Sequence, residues 1–246
     1  MKKTIAALLT AGMLTIGMQS AAVAKPAARH HTAPVLRWDR TITMTADGFP
    51  VMGNLDAPVK VVEFISYTCN HCADFSRESK VPLSAGLVRQ GMVSVELRPF
   101  IRISIDEVPS LLALCGTKEQ YFANSSALLA MQKTWFKAPA DPGYEARWRA
   151  LESKPAERRL VVAKDMGLDK LMVARGYTSA AINACLSDSA KLAWLQKQTD
   201  YAGTTIGVTG TPSFMIDGVL QNVYGWAELA PLINAAVAIK KTAAKM

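Results

Sequence analysis

Cysteine and histidine are scarce in this sequence, with four of the first and three of the second among 246 residues. So few cysteines exclude a disulfide-dense small scaffold, and a chain of this length buries a core without such staples. Aromatic residues make up only 7 % and are not interleaved with basic runs, so nothing suggests a nucleic-acid groove, although Lys and Arg outnumber Asp and Glu by 28 to 20. Beyond the N-terminal segment no apolar run approaches the roughly 20 residues that cross a bilayer. There is no internal repeat and no low-complexity stretch. What is present is one or two globular domains, half hydrophobic by composition, whose positive excess reads as solvated surface charge.

The N-terminus has the layout of an export signal. Lys2 and Lys3 precede an apolar run from Ile5 to Met18, and small residues end in Ala22-Val23-Ala24. Cleavage is expected before Lys25, which removes residues 1–24 and lowers the formal charge from +8 to +6. A membrane anchor is the alternative, but Gln19 and Ser20 end the run too early. No cysteine follows the cleavage site to carry a lipid. Residues 25–33 read as a flexible leader, and the mature product is expected to be soluble in the periplasm.

From Thr41 to Thr45 polar and apolar residues alternate, and Asp47-Gly48 marks a turn. Val59 to Ser66 is β-branched and nearly all apolar, as a central strand buried on both faces requires, with Glu63 as its one acidic interruption. A helix is expected from the following cysteines to about Gln90, with Phe75, Val81, Leu83 and Leu87 inward, and Gly91 ends it. Met92 to Phe100 alternates as a half-buried strand. The pattern is then helical from about Ser104 to Gly207, with a loop from Lys137 to Tyr144, stops at Gly116, Gly167 and Gly176, and a cap at Thr178 or Ser179. Ser213 to Val223 reads as a hairpin around Asp217-Gly218. A last helix from Trp226 carries Leu229, Ile233, Ala236 and Val237 on one face, and tolerates Pro231 only in its first turn.

Cys69-Asn70-His71-Cys72 directly follows the central strand and opens a helix. There the first sulfur meets free backbone N–H groups and the positive end of the helix dipole, which favour a thiolate. Cys72, one turn on, is placed to resolve a mixed disulfide, and His71 can add positive charge beside Cys69. Zinc would need four ligands, and no second CxxC or HxxxH exists; the other histidines, His30 and His31, fall in the leader. Redox chemistry is the expectation, with a plain structural disulfide the bland alternative.

The run Val62-Glu63-Phe64-Ile65-Ser66-Tyr67-Thr68-Cys69-Asn70-His71-Cys72, the segment Gly210-Thr211-Pro212-Ser213, the hairpin and the long helical stretch together resemble the exported thiol:disulfide oxidoreductases of the DsbA type. The resemblance implies an α/β thioredoxin fold, a mixed sheet flanked by helices, interrupted by an all-helical insert. The thioredoxin-like part would take residues 34–103 and 208–246, and the insert residues 104–207. It further implies a dithiol oxidase that needs no cofactor, passes a disulfide to reduced, unfolded client proteins and is reoxidised by a quinone-linked membrane partner of the DsbB type. Cys69 then matches the surface nucleophile, Cys72 its buried partner and His71 the histidine of the dipeptide. Glu63 matches a buried acid that relays the proton of Cys72, the alternative being a surface carboxylate on an edge strand. Pro212 matches a cis-proline beside which Thr211 and a bound peptide pair in strand fashion. Asn70 departs from the family's familiar Pro-His dipeptide, and Ser76 stands where some members carry an acid; both bear on oxidising strength.

Cys115 and Cys185 each fall at an expected helix end in an oxidising compartment, and are expected to pair. Two buried free thiols are the alternative. An isomerase or reductase kept reduced by another partner competes with the oxidase, though no heptads support an oligomerising N-terminus, and monomer is the default. A module holding Cu(I) through Cys69, Cys72 and His71, with His30 and His31, is the reading outside redox chemistry. Met215 could line an apolar client groove, but core packing is the expectation for the methionines and the scattered tryptophans.

Overall fold

The computed structural model describes residues 37–139 and 141–244, so the expected signal (1–24) and leader (25–33) lie outside the described residues. Six strands, β1 (Ile42–Met44), β2 (Pro50–Met52), β3 (Val59–Ile65), β4 (Val93–Pro99), β5 (Ser213–Ile216) and β6 (Val219–Gln221), form one mixed sheet. Their order is β1-β2-β4-β3-β5-β6, with β3 and β4 parallel and every other pair antiparallel. Parallel neighbours need a crossover, and helix α1 (Asn70–Ser79) begins it. β3 is a central strand, as its composition requires: Glu63 lies opposite Leu97 on one side and Phe214 on the other. That register excludes the edge-strand alternative for its carboxylate.

Two expectations along this crossover need correction. From Lys80 to Val88 the helix widens into π-helical geometry, where Pro82 has no N–H to give the preceding turn. Leu83 and Val88, five residues apart, therefore face the core, and Val81 is 71 % exposed instead of inward. β4 is not half-buried. Val93 to Leu97 are all buried because both faces of the strand are covered: Val93 and Val95 pack with Phe75, Leu83 and Leu229, and on the other face Glu96 is matched by the Arg98 guanidinium at 2.7 Å.

Between β4 and β5 lie α2 (Glu107–Ala113), α3 (Tyr121–Ala130), α4 (Gln132–Trp135), α5 (Tyr144–Ala150), α6 (Pro155–Asp165), α7 (Leu168–Ala174), α8 (Ser179–Ser187) and α9 (Ser189–Tyr201). The Thr178 hydroxyl accepts the Ala181 N–H and caps α8. These helices share a core with the sheet: Ile65, Tyr67 and Leu97 pack in one cluster with Val108, Leu112 and Leu128, and Cys69 and Cys72 lie in the same cluster. Each large side chain buried there stabilises the fold by roughly 1.5–3 kcal/mol before chain entropy is counted.

The β5–β6 hairpin turns at Asp217 and Gly218, with φ of 48° and 85°, the left-handed pair that a two-residue turn demands. The last helix, α10 (Trp226–Ala243), buries Leu229, Ile233 and Val237. Pro231 sits in its second turn, not its first. Pro231 and Ala227 are both exposed, so solvent can take the carbonyl bond that the proline leaves unmade.

Candidate active site

Cys69 is the N-cap residue of α1, extended in backbone, with Asn70 exposed at the first helical position and Cys72 fully buried in the first turn. The strand end thus delivers one sulfur to the open N–H groups of the helix, and the next turn carries the other inside. A hydrogen bond from the Cys72 thiol does most to hold Cys69 down at about 5, against an ordinary value of 9. Burial opposes it, and the Thr211 hydroxyl and the backbone N–H groups of Cys72 and His71 add to it. Burial first, then the neighbouring Cys69, pushes the Cys72 thiol far up. The two sulfurs are electrostatically unlike although one helical turn separates them. His71 contributes its backbone N–H, and its side chain lies at the surface.

Cys69 is 3 % exposed, less open than a surface nucleophile would be. Its thiol donates to the Thr211 carbonyl at 3.1 Å, and the loop carrying that carbonyl covers the sulfur. The Thr211–Pro212 peptide bond is cis. The Thr211 hydroxyl is buried with no partner while Cys69 is a thiol, and it is available to donate once the sulfur is charged. Met215 is half-buried and packs beside the cluster of Phe64, Ala202 and Val208.

Beneath the dithiol, Glu63 is 7 % exposed, its Oε1 has no hydrogen-bond partner, and burial alone raises its carboxyl from 4.5 to about 8. It lies near enough to Cys72 for its charge to disfavour the thiolate there. Two further buried side chains hold the active-site loop. Asp106 accepts the Ser66 hydroxyl at 2.9 Å and the Thr68 and Arg102 N–H groups at 3.0 Å each, which fixes the residues just before Cys69. Gln132 donates from Nε2 to the Tyr67 and Cys69 carbonyls at 2.7 and 2.8 Å. Both were missed by sequence reasoning, because their partners in the active-site loop are 38 to 65 residues away in the chain and no local motif announces them.

Cys115 and Cys185 are joined by a disulfide, with 5.7 Å between their Cα atoms, remote in sequence from the CxxC. The Cys115 carbonyl accepts from the Asn124 amide at 3.1 Å and the Tyr177 hydroxyl at 2.9 Å. Among the described residues no three His, Cys, Asp or Glu side chains converge as metal ligands, and no helix is long and apolar enough to cross a membrane. His30 and His31 lie outside the described residues.

A protein-family model described as thioredoxin matches residues 45–235. A Rickettsia conorii protein named as a protein-disulfide oxidoreductase is 24 % identical over 228 residues, 92 % of this chain and 74 % of that relative. The crystal structure of a protein-disulfide isomerase from Novosphingobium aromaticivorans superposes with a TM-score of 0.71 at 35 % identity, covering 76 % of this chain and 96 % of that one. The α-DsbA1 structure of Wolbachia pipientis shares the fold, with a TM-score of 0.62 at 18 % identity over 78 % of this chain and 92 % of that one. With a CxxC at the start of a helix, one sulfur held as a thiolate and the other kept as a thiol, this chain belongs to the thioredoxin family and is a protein thiol:disulfide oxidoreductase with the fold of the DsbA-type structures.

Proposed function

We propose that this oxidoreductase donates its Cys69–Cys72 disulfide to reduced, unfolded client proteins after export to the periplasm, and that a quinone-linked membrane partner of the DsbB type reoxidises it. The observation that carries this reading is the unequal pair of sulfurs: a Cys69 held at about 5 beside a Cys72 pushed far up. A client thiolate attacks the Cys69 sulfur and breaks the enzyme disulfide. Cys72 leaves as a thiolate and takes a proton, for which Glu63 is the buried source. A second client thiolate then attacks the client sulfur of the mixed disulfide, and Cys69 leaves as a stable thiolate. The client keeps the disulfide, and the enzyme keeps two electrons as a dithiol. A sulfur with a low pKa is the better leaving group, so the step runs toward the reduced enzyme.

In this reading Thr211 and Pro212 present the backbone edge along which an extended client pairs, so that many sequences fit. Asn70 and His71 tune the thiolate from the helix start. Residues 34–103 and 208–246 act as the thioredoxin-like unit, residues 104–207 as the inserted helical unit, and the protein as a monomer. The export reading rests on the segment from Lys2 to Ala24. The second reading, an isomerase or reductase, draws on the name of the Novosphingobium protein. The reduction potential of the Cys69/Cys72 couple in glutathione buffers separates the two. A value more oxidising than about −150 mV is expected for a donor, and one near or below roughly −200 mV overturns that role in favour of the second.

A further inference from the structure

The buried Glu63 carboxyl lines a cleft of about 650 Å3 that runs between the sheet, α1 with its π-helical continuation, and α3. Leu83, Val95, Leu97 and Leu129 give it apolar walls. Five hydroxyls also line it, those of Ser76, Ser79 and Ser84 from one side and of Ser125 and Ser126 from the other. Neither Cys69 nor the Thr211–Pro212 loop borders it, so it lies behind the dithiol as seen from a client. Asp39, Lys80 and Arg175 are the other charged groups at its border.

We propose that this serine-lined cleft is the proton inlet of the enzyme, through which Glu63 exchanges with solvent while a client covers Cys69. The inference rests on the reading of Glu63 as the proton source for Cys72. Cys69 is almost fully covered and Cys72 fully so before any client arrives, and a client bound at Cys69 closes that face further. A proton for Cys72 must then cross protein. In the donor direction the Cys69–Cys72 bond breaks, the client–Cys69 bond forms, and the departing Cys72 thiolate takes the proton of Glu63. The Glu63 carboxylate is reprotonated along the cleft water by the proton that the attacking client thiol released to solvent on becoming a thiolate, so protons and electrons balance with no further reagent.

The cleft has the volume for this, since a water occupies about 30 Å3 and needs two to four polar partners. The serine hydroxyls and the unpartnered Glu63 Oε1 supply them. The other groups around Glu63 do not compete. The Tyr67 hydroxyl is bonded to Ser125 at 2.8 Å, the Tyr121 hydroxyl donates to the Leu97 carbonyl, and burial keeps both phenols protonated. Asp106 is taken up by the active-site loop, and the Arg175 guanidinium by the Asn124 side chain.

Hydrogen–deuterium exchange of the Glu63 carboxyl, followed by its infrared carbonyl band and assigned with Glu63→Gln, tests the inlet. Ser79→Leu and Ser126→Leu fill the cleft from opposite walls, and an unchanged thermal transition shows which of them folds. Exchange slowed roughly tenfold or more in a folded plug is expected, because a continuous water path is lost; exchange as fast as in the unsubstituted protein overturns the proposal. A second comparison needs no plug. In Cys72→Ala carrying a client peptide disulfide-bonded to Cys69, exchange should match that of the same variant without peptide, and exchange blocked by the peptide overturns the proposal. Client oxidation by Glu63→Gln tests the underlying reading separately: a loss of about a hundredfold supports Glu63 as proton source, and an unchanged rate removes that role whatever the exchange shows.

Discussion

The four cysteines form two pairs whose sulfurs meet opposite surroundings. Cys69 and Cys72 sit one helical turn apart, with backbone N–H groups, a thiol and a buried hydroxyl turned on the first sulfur and apolar burial imposed on the second. Cys115 and Cys185 are 70 residues apart, where α2 ends and in α8, bonded to each other. Both cysteine turns are gripped in the same manner from the α3–α4 run: Gln132 holds the Cys69 carbonyl and Asn124 the Cys115 carbonyl. What separates a reactive dithiol from a structural bridge here is therefore the field at sulfur, since backbone anchoring is common to both.

The bridge should be the larger contributor to stability. Closing a loop of this length removes denatured-chain entropy worth about 4 kcal/mol in the chain-entropy treatment. Replacing both Cys115 and Cys185 by alanine is expected to lower unfolding free energy in guanidinium by about that amount, with turnover of the Cys69–Cys72 pair retained. Lost turnover in a variant that still folds would erase the distinction between the pairs.

The dithiol should contribute a stability that titrates, and the bridge one that does not. In the unfolded reduced chain Cys69 has its ordinary value of 9, and in the folded one about 5. The folded pKa is depressed, so the contribution is complete above pH 9 and is lost as pH falls through about 5. Two pH units above the folded value, near neutrality, it amounts to about 3 kcal/mol. Reduced protein minus oxidised protein should therefore lose about 3 kcal/mol of relative stability between neutral pH and pH 4, as urea unfolding of both forms would measure. Glu63 titrates in both forms and largely cancels. A flat difference would mean that the helix start does not hold a thiolate.

Much of this arrangement was readable from local pattern. The apolar run with a single glutamate located β3 and its buried acid, the Asp217-Gly218 pair located the hairpin, and the CxxC after a strand located the helix start. The failures share a cause. Val81 faces outward because Pro82 disturbs the hydrogen-bond ladder, a local defect that shifts a whole face by its geometry rather than its composition. β4 is buried throughout because distant elements cover both of its faces, and what packs on a strand is not local information. Asp106 and Gln132 look like ordinary polar residues until folding brings the active-site loop to them.

The two anchoring amides give the finest separation of the pairs. Gln132→Met leaves the Tyr67 carbonyl without a donor, and Asn124→Leu leaves the Ala113 carbonyl without a donor and the Arg175 guanidinium without its acceptor, at a cost of about 1–3 kcal/mol for each buried group left unpaired. Asn124→Leu should thus cost the fold at least as much as Gln132→Met, yet the consequences for chemistry should run the other way. Freed of Gln132, the Tyr67 and Cys69 carbonyls no longer fix the turn that aims the His71 and Cys72 N–H groups at the Cys69 sulfur. The Cys69 pKa, followed by thiolate absorbance across pH, should then rise by about one unit, the scale on which a lost hydrogen bond to a charged group acts. Freed of Asn124, the Cys115 carbonyl keeps the Tyr177 hydroxyl, and its sulfur is already bonded and has no proton to lose. Asn124→Leu should thus leave the titration of Cys69 where it was. A matching shift in both variants would show that the helices tune the thiolate as one packed body, and that the field at sulfur is not set by the α1 turn alone.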